Sequence, residues 1–122
     1  MANKVKATIY DFNDTLRDKD SGKTNKKILK KAVKDEKKNH VIVLSGEDTS
    51  KKPATRKWLD KHGLKDAELD VRPAHDHEPD DKEKSRILNQ QILPKYDVDK
   101  AYDDKKKNRK VFKKHGIKTK RV

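Results

Sequence analysis

In a chain where 45% of residues are charged and only 30% are hydrophobic, Val41-Ile42-Val43-Leu44 is an unbroken apolar run. Four apolar residues in a row leave no face for water, so a strand over His40 to Leu44 needs cover on both sides. That one segment asks for a sheet sandwiched between two layers, and its flanks supply the layers.

Val5 to Tyr10, Val-Lys-Ala-Thr-Ile-Tyr, reads as a first strand that ends at an acidic stretch. Residues Asp11 to Thr24 are polar, include Gly22, and read as a long loop. Asn25 to Lys38 reads as a helix with Ile28, Leu29, Ala32 and Val33 on one stripe. After the His40 to Leu44 strand, Ser45 to Lys52 reads as a loop. Pro53 opens a second helix in which Trp58 and Leu59 pack, and Gly63 stops it. Ala67 to Val71 is a weaker third strand, and Arg72 to Pro79 a polar loop. Asp80 to Leu93 is a third helix carrying Ile87, Leu88 and Ile92. Val98 to Tyr102 is a fourth strand ending at Asp103-Asp104. Val111 and Phe112 anchor a fourth helix that Gly116 ends, and Ile117 to Val122 forms a last edge strand. Strands and helices in alternation predict an α/β fold, a single Rossmann-like core with a mostly parallel sheet and helices on both faces. The 122 residues suffice for one domain with one modest core. No internal repeat or linker divides them, and none of the insertions is large enough to form a cap.

The net charge of +13, from 34 Lys+Arg against 21 Asp+Glu, draws polyanions, and nucleic acid is the expected partner. A solvated lysine-rich surface is the plainer reading of the same count. With no cysteine there is neither a disulfide framework nor a thiolate metal site. No apolar run reaches membrane-spanning length, and an intracellular protein is the expectation.

Ligands of open parallel sheets bind beyond the carboxyl ends of the strands. Asp11 follows the first strand, Ser45-Gly46 the second, and Asp103-Asp104 the fourth. Any one of these reads as a loop or cap residue; the set, at equivalent places on three strands, reads as one site. Asp11, Asp103 and Asp104 offer hard oxygen ligands suited to Mg²⁺ held together with a substrate phosphate. Ser45 and the small Gly46 offer a hydroxyl and close backbone N–H groups to phosphate oxygens. Lys84, near the start of the third helix, is placed to neutralise charge between nucleophile and phosphate.

These residues resemble the haloacid dehalogenase (HAD) superfamily. Asp11-Phe12-Asn13-Asp14-Thr15-Leu16 after a hydrophobic strand is similar to motif I, Asp-x-Asp-x-Thr, and Val41 to Gly46 is similar to motif II. Lys84 stands where motif III places its lysine, and Ala101-Tyr102-Asp103-Asp104 resembles motif IV. A narrower likeness, in Thr55-Arg56-Lys57-Trp58-Leu59 and from Asp80-Asp81 through Lys84, Pro94 and Tyr96-Asp97-Val98 to Asp103-Asp104, is to the 3′-phosphatase domain of phage polynucleotide kinases. The resemblance implies a Mg²⁺-dependent phosphomonoesterase acting on nucleic-acid 3′-phosphate ends. In it Asp11 attacks phosphorus and becomes an aspartyl-phosphate, Thr15, Ser45 and Gly46 hold the phosphate, and Lys84 stabilises charge. Asp103 and Asp104 hold or orient Mg²⁺ together with Asp11, and Arg72 and Asp80 fall where a substrate-contacting arginine and a supporting aspartate are expected.

The chain departs from that pattern at two places. The second motif I aspartate, the family's general acid and base, is Asn13 here, which can lend its backbone carbonyl to Mg²⁺ but cannot move a proton. Asp14 is a poor substitute, because adjacent residues leaving a strand point in different directions. Glu47 follows Ser45-Gly46 where the phage domain has a basic residue, which bears on substrate preference. Two other signals are set aside. Gly22-Lys23-Thr24 imitates the end of a phosphate-binding loop, but the earlier glycine that such a loop needs is Arg17. His75-Asp76-His77-Glu78 has the ligands of a transition-metal site but reads better as a polar loop. Three functions remain open: the 3′-phosphatase, a catalytically inactive nucleic-acid or partner-binding module on the same scaffold, and a phosphatase of small metabolites.

Overall fold

The computed structural model describes residues 4–72 and 79–121, apart from the side chains of Glu47, Asp48, Arg72 and Asp80. Its elements run β1 (Val5–Asp11), α1 (Lys26–Glu36), β2 (His40–Asp48), a 3₁₀ turn (Thr49–Lys51), α2 (Lys52–Lys61), β3 (Glu68–Arg72), α3 (Asp80–Ile87), a π turn (Leu88–Ile92), β4 (Tyr96–Asp103), α4 (Lys106–Lys114) and β5 (Lys118–Arg121). The five strands form one sheet in the order β3-β2-β1-β4-β5, and every neighbouring pair is parallel. The α/β architecture with helices on both faces is as the sequence predicts, and no cap is inserted among the described residues.

β2 shows why the apolar run demanded two layers. Val41 and Val43 join Tyr10, Phe12, Ile28, Ala32, Leu59 and Tyr102 in a core beneath α1 and α2. Ile42 and Leu44 point the other way, joining Ala7, Ile9, Ile87, Leu88, Ile92, Ala101 and Phe112 beneath α3 and α4. All four β2 residues are fully buried, as the period of two requires when both faces are covered.

Several boundaries differ from expectation. β1 and β4 run on to Asp11 and Asp103, because parallel pairing continues through Asp11↔Leu44 and Asp103↔Arg121. These acidic residues are therefore the last rungs of ladders, with their backbones fixed. β2 likewise extends to Asp48 where a loop from Ser45 was expected, pairing Ser45 with Val71 before its register shifts. β3 starts one residue late, at Glu68. α1 is shorter than Asn25 to Lys38: the Asn25 carboxamide caps it by accepting from the Ile28 N–H at 3.3 Å, and Lys37 closes it. The expected third helix is α-helical only to Ile87, then widens so that the Leu93 N–H reaches back to the Leu88 carbonyl at 2.8 Å. Pro94, which lacks an N–H, ends it.

The stretch from Asp11 to Thr24 is more ordered than a polar loop. Phe12 and Leu16 are fully buried in the core under α1 and α2. The Phe12 carbonyl accepts from the N–H groups of Leu16 (3.0 Å) and Arg17 (3.2 Å), while Asp14 takes a positive φ of 62° to make the turn. One irregularity lies in β4. Its pairing with β1 shifts between Ala7 and Thr8, from Ala7↔Val98 to Thr8↔Lys100, so that Asp99 is an extra residue.

Candidate active site

β1 is the central strand, with β2 on one side and β4 on the other. Chain order reverses there, and the crevice beyond the ends of β1 and β4 is the switch point where α/β sheets bind ligands. Asp11 and Asp103 end those two strands. The alternation that turns Ala7 and Ile9 towards α3 turns Asp11 the same way, and Asp103, two residues beyond Ala101, follows suit.

Lys84, the fifth residue of α3, enters from that side. Its Nζ donates to Asp11 Oδ1 at 2.6 Å and to Asp103 Oδ2 at 2.8 Å. The lysine is 2% exposed, Asp11 6% and Asp103 0%, so the three charges are paired out of water. A buried ammonium needs such partners. Thr15, fully buried, donates its hydroxyl to Asp11 Oδ2 at 3.3 Å. Asp103 is fixed from its other oxygen: Oδ1 accepts from the Lys105 N–H at 2.9 Å and from Asn108 Nδ2 at 3.4 Å. Arg109 Nη1 donates to the carbonyls of Asp103 (3.1 Å) and Asp104 (2.8 Å), clamping the end of β4. Sequence reading missed Asn108 and Arg109. Their signal is positional: a buried amide and a cation one turn into the helix that follows an acidic pair.

Asp11, Asp103 and Asp104 each offer a carboxylate oxygen, all within 4.8 Å of one another. Burial, first, and then the charges of Asp103 and Asp104 push the Asp11 carboxyl up to about 7, against the pull of Lys84. Asp104 is also raised, by burial and then by Asp103. Its Oδ1 is buried with no hydrogen-bond partner. Three carboxylates around one ammonium leave excess negative charge, and an orphaned oxygen stands beside it. That donor set fits a divalent cation with a preference for oxygen.

The remaining predicted residues fall around this core. Ser45, buried, and half-buried Gly46 lie on β2 immediately beyond Leu44, the register partner of Asp11. Asn13 is half-buried, and its Oδ1 accepts from Arg17 Nη2 at 3.1 Å. Arg17 in turn lies over the Phe12 ring at 4.7 Å. Asp14 is exposed, and its Oδ1 accepts from the Lys19 N–H at 3.0 Å. Thr15, Arg17, Lys23, Thr24 and Asn25, with Asp14 and Asp18, line a pocket of about 260 Å³ next to the site. Arg72 closes β3 at the same end of the sheet and Asp80 opens α3, but their side chains lie outside the described residues, as do the side chain of Glu47 and the whole of His75 to Glu78.

Solved structures share this fold, two of them as follows. One is a chain in a structure of the Pnkp1/Rnl/Hen1 RNA repair complex, with a TM-score of 0.88 and 23% identity, matched over 98% of this chain and 42% of that one. The other is a chain of a Pnkp1/Rnl/Hen1 complex, with a TM-score of 0.87 and 23% identity, matched over 100% of this chain and 47% of that one. This chain thus spans less than half the length of either. Comparison with curated protein sequences finds no match. Over residues 1–122 the sequence matches the family described as the polynucleotide kinase PNKP phosphatase domain. With that match over its whole length, the chain belongs to the HAD-type phosphatase-domain family of polynucleotide kinases.

Proposed function

We propose that this chain is a Mg²⁺-dependent phosphomonoesterase acting on nucleic-acid 3′-phosphate ends through an aspartyl-phosphate at Asp11, with turnover slowed by Asn13. The observation that carries the reading is the buried Lys84, held between Asp11 and Asp103 at 2.6 and 2.8 Å at the ends of β1 and β4. An ammonium there favours the nucleophilic, charged form of Asp11 against the opposing effect of burial, and screens the approach of a phosphate dianion. Asp11 Oδ1 is committed to Lys84, so Oδ2, with the longer bond from Thr15, is the attacking atom in this reading. An Oδ2–P bond forms as the bond from phosphorus to the sugar 3′-oxygen breaks. Water then attacks the phosphorus of the aspartyl-phosphate and restores the carboxylate.

Both steps move a proton, first to the leaving alkoxide and then from the attacking water. Asn13 can do neither, and loss of such a group lowers rates by ~10²–10⁴-fold. Asp11, Asp103 and Asp104, with the Asn13 carbonyl, would hold Mg²⁺, which supplies charge neutralisation for the phosphate oxygens when bound. Thr15, Ser45 and Gly46 would hold the phosphate, while Arg72 and Asp80 keep the substrate-contacting and supporting roles implied by the family resemblance. The net charge of +13 and the likeness to a chain of an RNA repair complex favour a nucleic-acid end as the substrate.

One observation favours a second reading, a binding module without turnover. Position 13 carries Asn, whose Oδ1 accepts from Arg17 Nη2 at 3.1 Å and whose amide cannot move the proton that turnover needs. Phosphate release from a 3′-phosphorylated oligonucleotide with Mg²⁺ separates the two. Activity that rises at least tenfold in Asn13→Asp and vanishes in Asp11→Asn establishes the phosphatase. Silence from all three proteins, with oligonucleotide binding intact, establishes the module.

A further inference from the structure

β5 is an edge strand, and its two faces differ. Thr119, partner of Ala101, leans towards α4 and is half-buried. Lys118 and Lys120 point to the opposite face and are exposed. They pair with Lys100 and Tyr102, and Tyr102 belongs to the core beneath α1. Parallel register partners share a face, so Lys100, Lys118 and Lys120 stand together beside α1. The α1 helix borders them with Lys27, Lys31 and Lys34, spaced on one flank and all exposed. Lys31 Nζ lies 5.8 Å from the Tyr102 ring centre, which fixes that flank over β4.

Lys100 and Lys118 are direct cross-strand neighbours of like charge, an arrangement that destabilises a sheet when nothing compensates it. No carboxylate among the described residues forms an ion pair with either of them. The exposed lysines of α4 lie on a single helix whose other side buries Asn108 and Phe112. The α1–β5 face also lacks apolar groups. Among the described residues the one large hydrophobic side chain left exposed is Val5. Protein interfaces deplete lysine and bury an apolar centre, and membrane-surface helices need apolar anchors. A face of lysines without either fits a partner that is charge alone. Its upper end is level with the site, since Lys120 pairs with Tyr102 and Arg121 with Asp103.

We propose that the lysine face formed by α1, β4 and β5 docks the phosphodiester backbone of the nucleic acid whose end enters the site. The proposal rests on the nucleic-acid reading above and deepens it. Contacts from lysine to backbone phosphates carry no sequence information and position the strand by charge. They release counterions, and each phosphate contact adds about 0.7–0.9 to the slope of log K against log salt.

The test measures binding of a fluorescent 3′-phosphorylated oligonucleotide across a salt series, by anisotropy and without need of turnover. The parent protein is compared with Lys100→Gln/Lys118→Gln/Lys120→Gln and with Lys107→Gln/Lys110→Gln/Lys114→Gln on α4, which removes the same charge. The first triple should lose about 2–3 units of salt slope and the second less than about one. Equal losses in both triples, or none in either, overturn the docking face and leave the nucleic-acid reading standing. If no protein binds the oligonucleotide although the Asn13→Asp protein hydrolyses p-nitrophenyl phosphate, the nucleic-acid reading itself fails. Displacement of the oligonucleotide by polyglutamate at equal charge, through the same three lysines, overturns the proposal in favour of an acidic peptide partner.

Discussion

Replacing Lys84 by methionine tests whether the site is held by charge. Methionine keeps the length of the side chain and removes the ammonium that joins Asp11 and Asp103. All three residues are buried, so the variant leaves two carboxylates without their cation in a poorly solvated place. Breaking a buried pair from one side destabilises by about 3–5 kcal/mol. For a chain of this size that is a fall in Tm on the order of 10–20 °C. The pH dependence follows from Asp11, whose carboxyl is pushed up from 3.8 to about 7 even with Lys84 present. A carboxyl raised in the folded state costs nothing below its ordinary value, and stability is lost as pH rises through the folded value. Without Lys84 that value rises further, so the penalty is greatest above pH 7 and shrinks towards pH 4. Thermal unfolding at pH 8 and pH 5, with and without Mg²⁺, measures it. At pH 8 the variant should unfold far below the parent, and Mg²⁺ should recover part of the difference. A loss under about 2 °C at pH 8, or an equal loss at both pH values, refutes the argument.

The activity ratios for Asn13→Asp and Asp11→Asn and the salt slopes of the two lysine triples are the expectations stated above for the site and the docking face. Asp70→Asn should stabilise the protein. Burial and then Glu68 raise the Asp70 carboxyl to about 7, so its charge costs stability as pH rises through 7. The gain, on the order of 1 kcal/mol after solvent screening of this half-buried group, should appear at pH 8 and vanish near pH 4; a gain of equal size at both pH values in thermal melts sinks the assignment. Gly63→Ala should destabilise by about 1–2 kcal/mol, because Gly63 ends α2 at φ +87°. An added Cβ would meet only Val33 at 3.5 Å, an ordinary contact, so a urea midpoint equal to the parent's would show that the backbone relaxes instead.

What was legible in the sequence is the alternation of elements and the residues at strand ends. Val41 to Leu44 announced a doubly covered strand, and Asp11, Lys84, Asp103 and Asp104 do converge. The illegible parts have physical causes. Phe12 and Leu16 sit among polar residues, and only tertiary folding buries them, so the loop looked wetter than it is. Strands stop where hydrogen-bonded neighbours stop, and a carboxylate on the last rung gives no local sign of pairing. Asn108 and Arg109 act across a turn on groups five or six residues away, which composition does not reveal.

The extra residue in β4 has a consequence for how the site assembles. Below it Val98 pairs with Ala7, and above it Lys100 pairs with Thr8. If the ladder ran on without the bulge, Asp99 would take the place of Lys100, and every side chain above would swing to the other face. Lys100 would enter the core beneath α3, Tyr102 would lose its stack on Tyr10, and Asp103 would turn away from Lys84 and stand one rung too high. The slipped pairing is thus self-rejecting: the error that would disarm the site also buries a bare lysine. Asp99 works as a phase shifter, letting the lower half of the strand keep its own rhythm while the upper half delivers its carboxylate to the right side of the sheet.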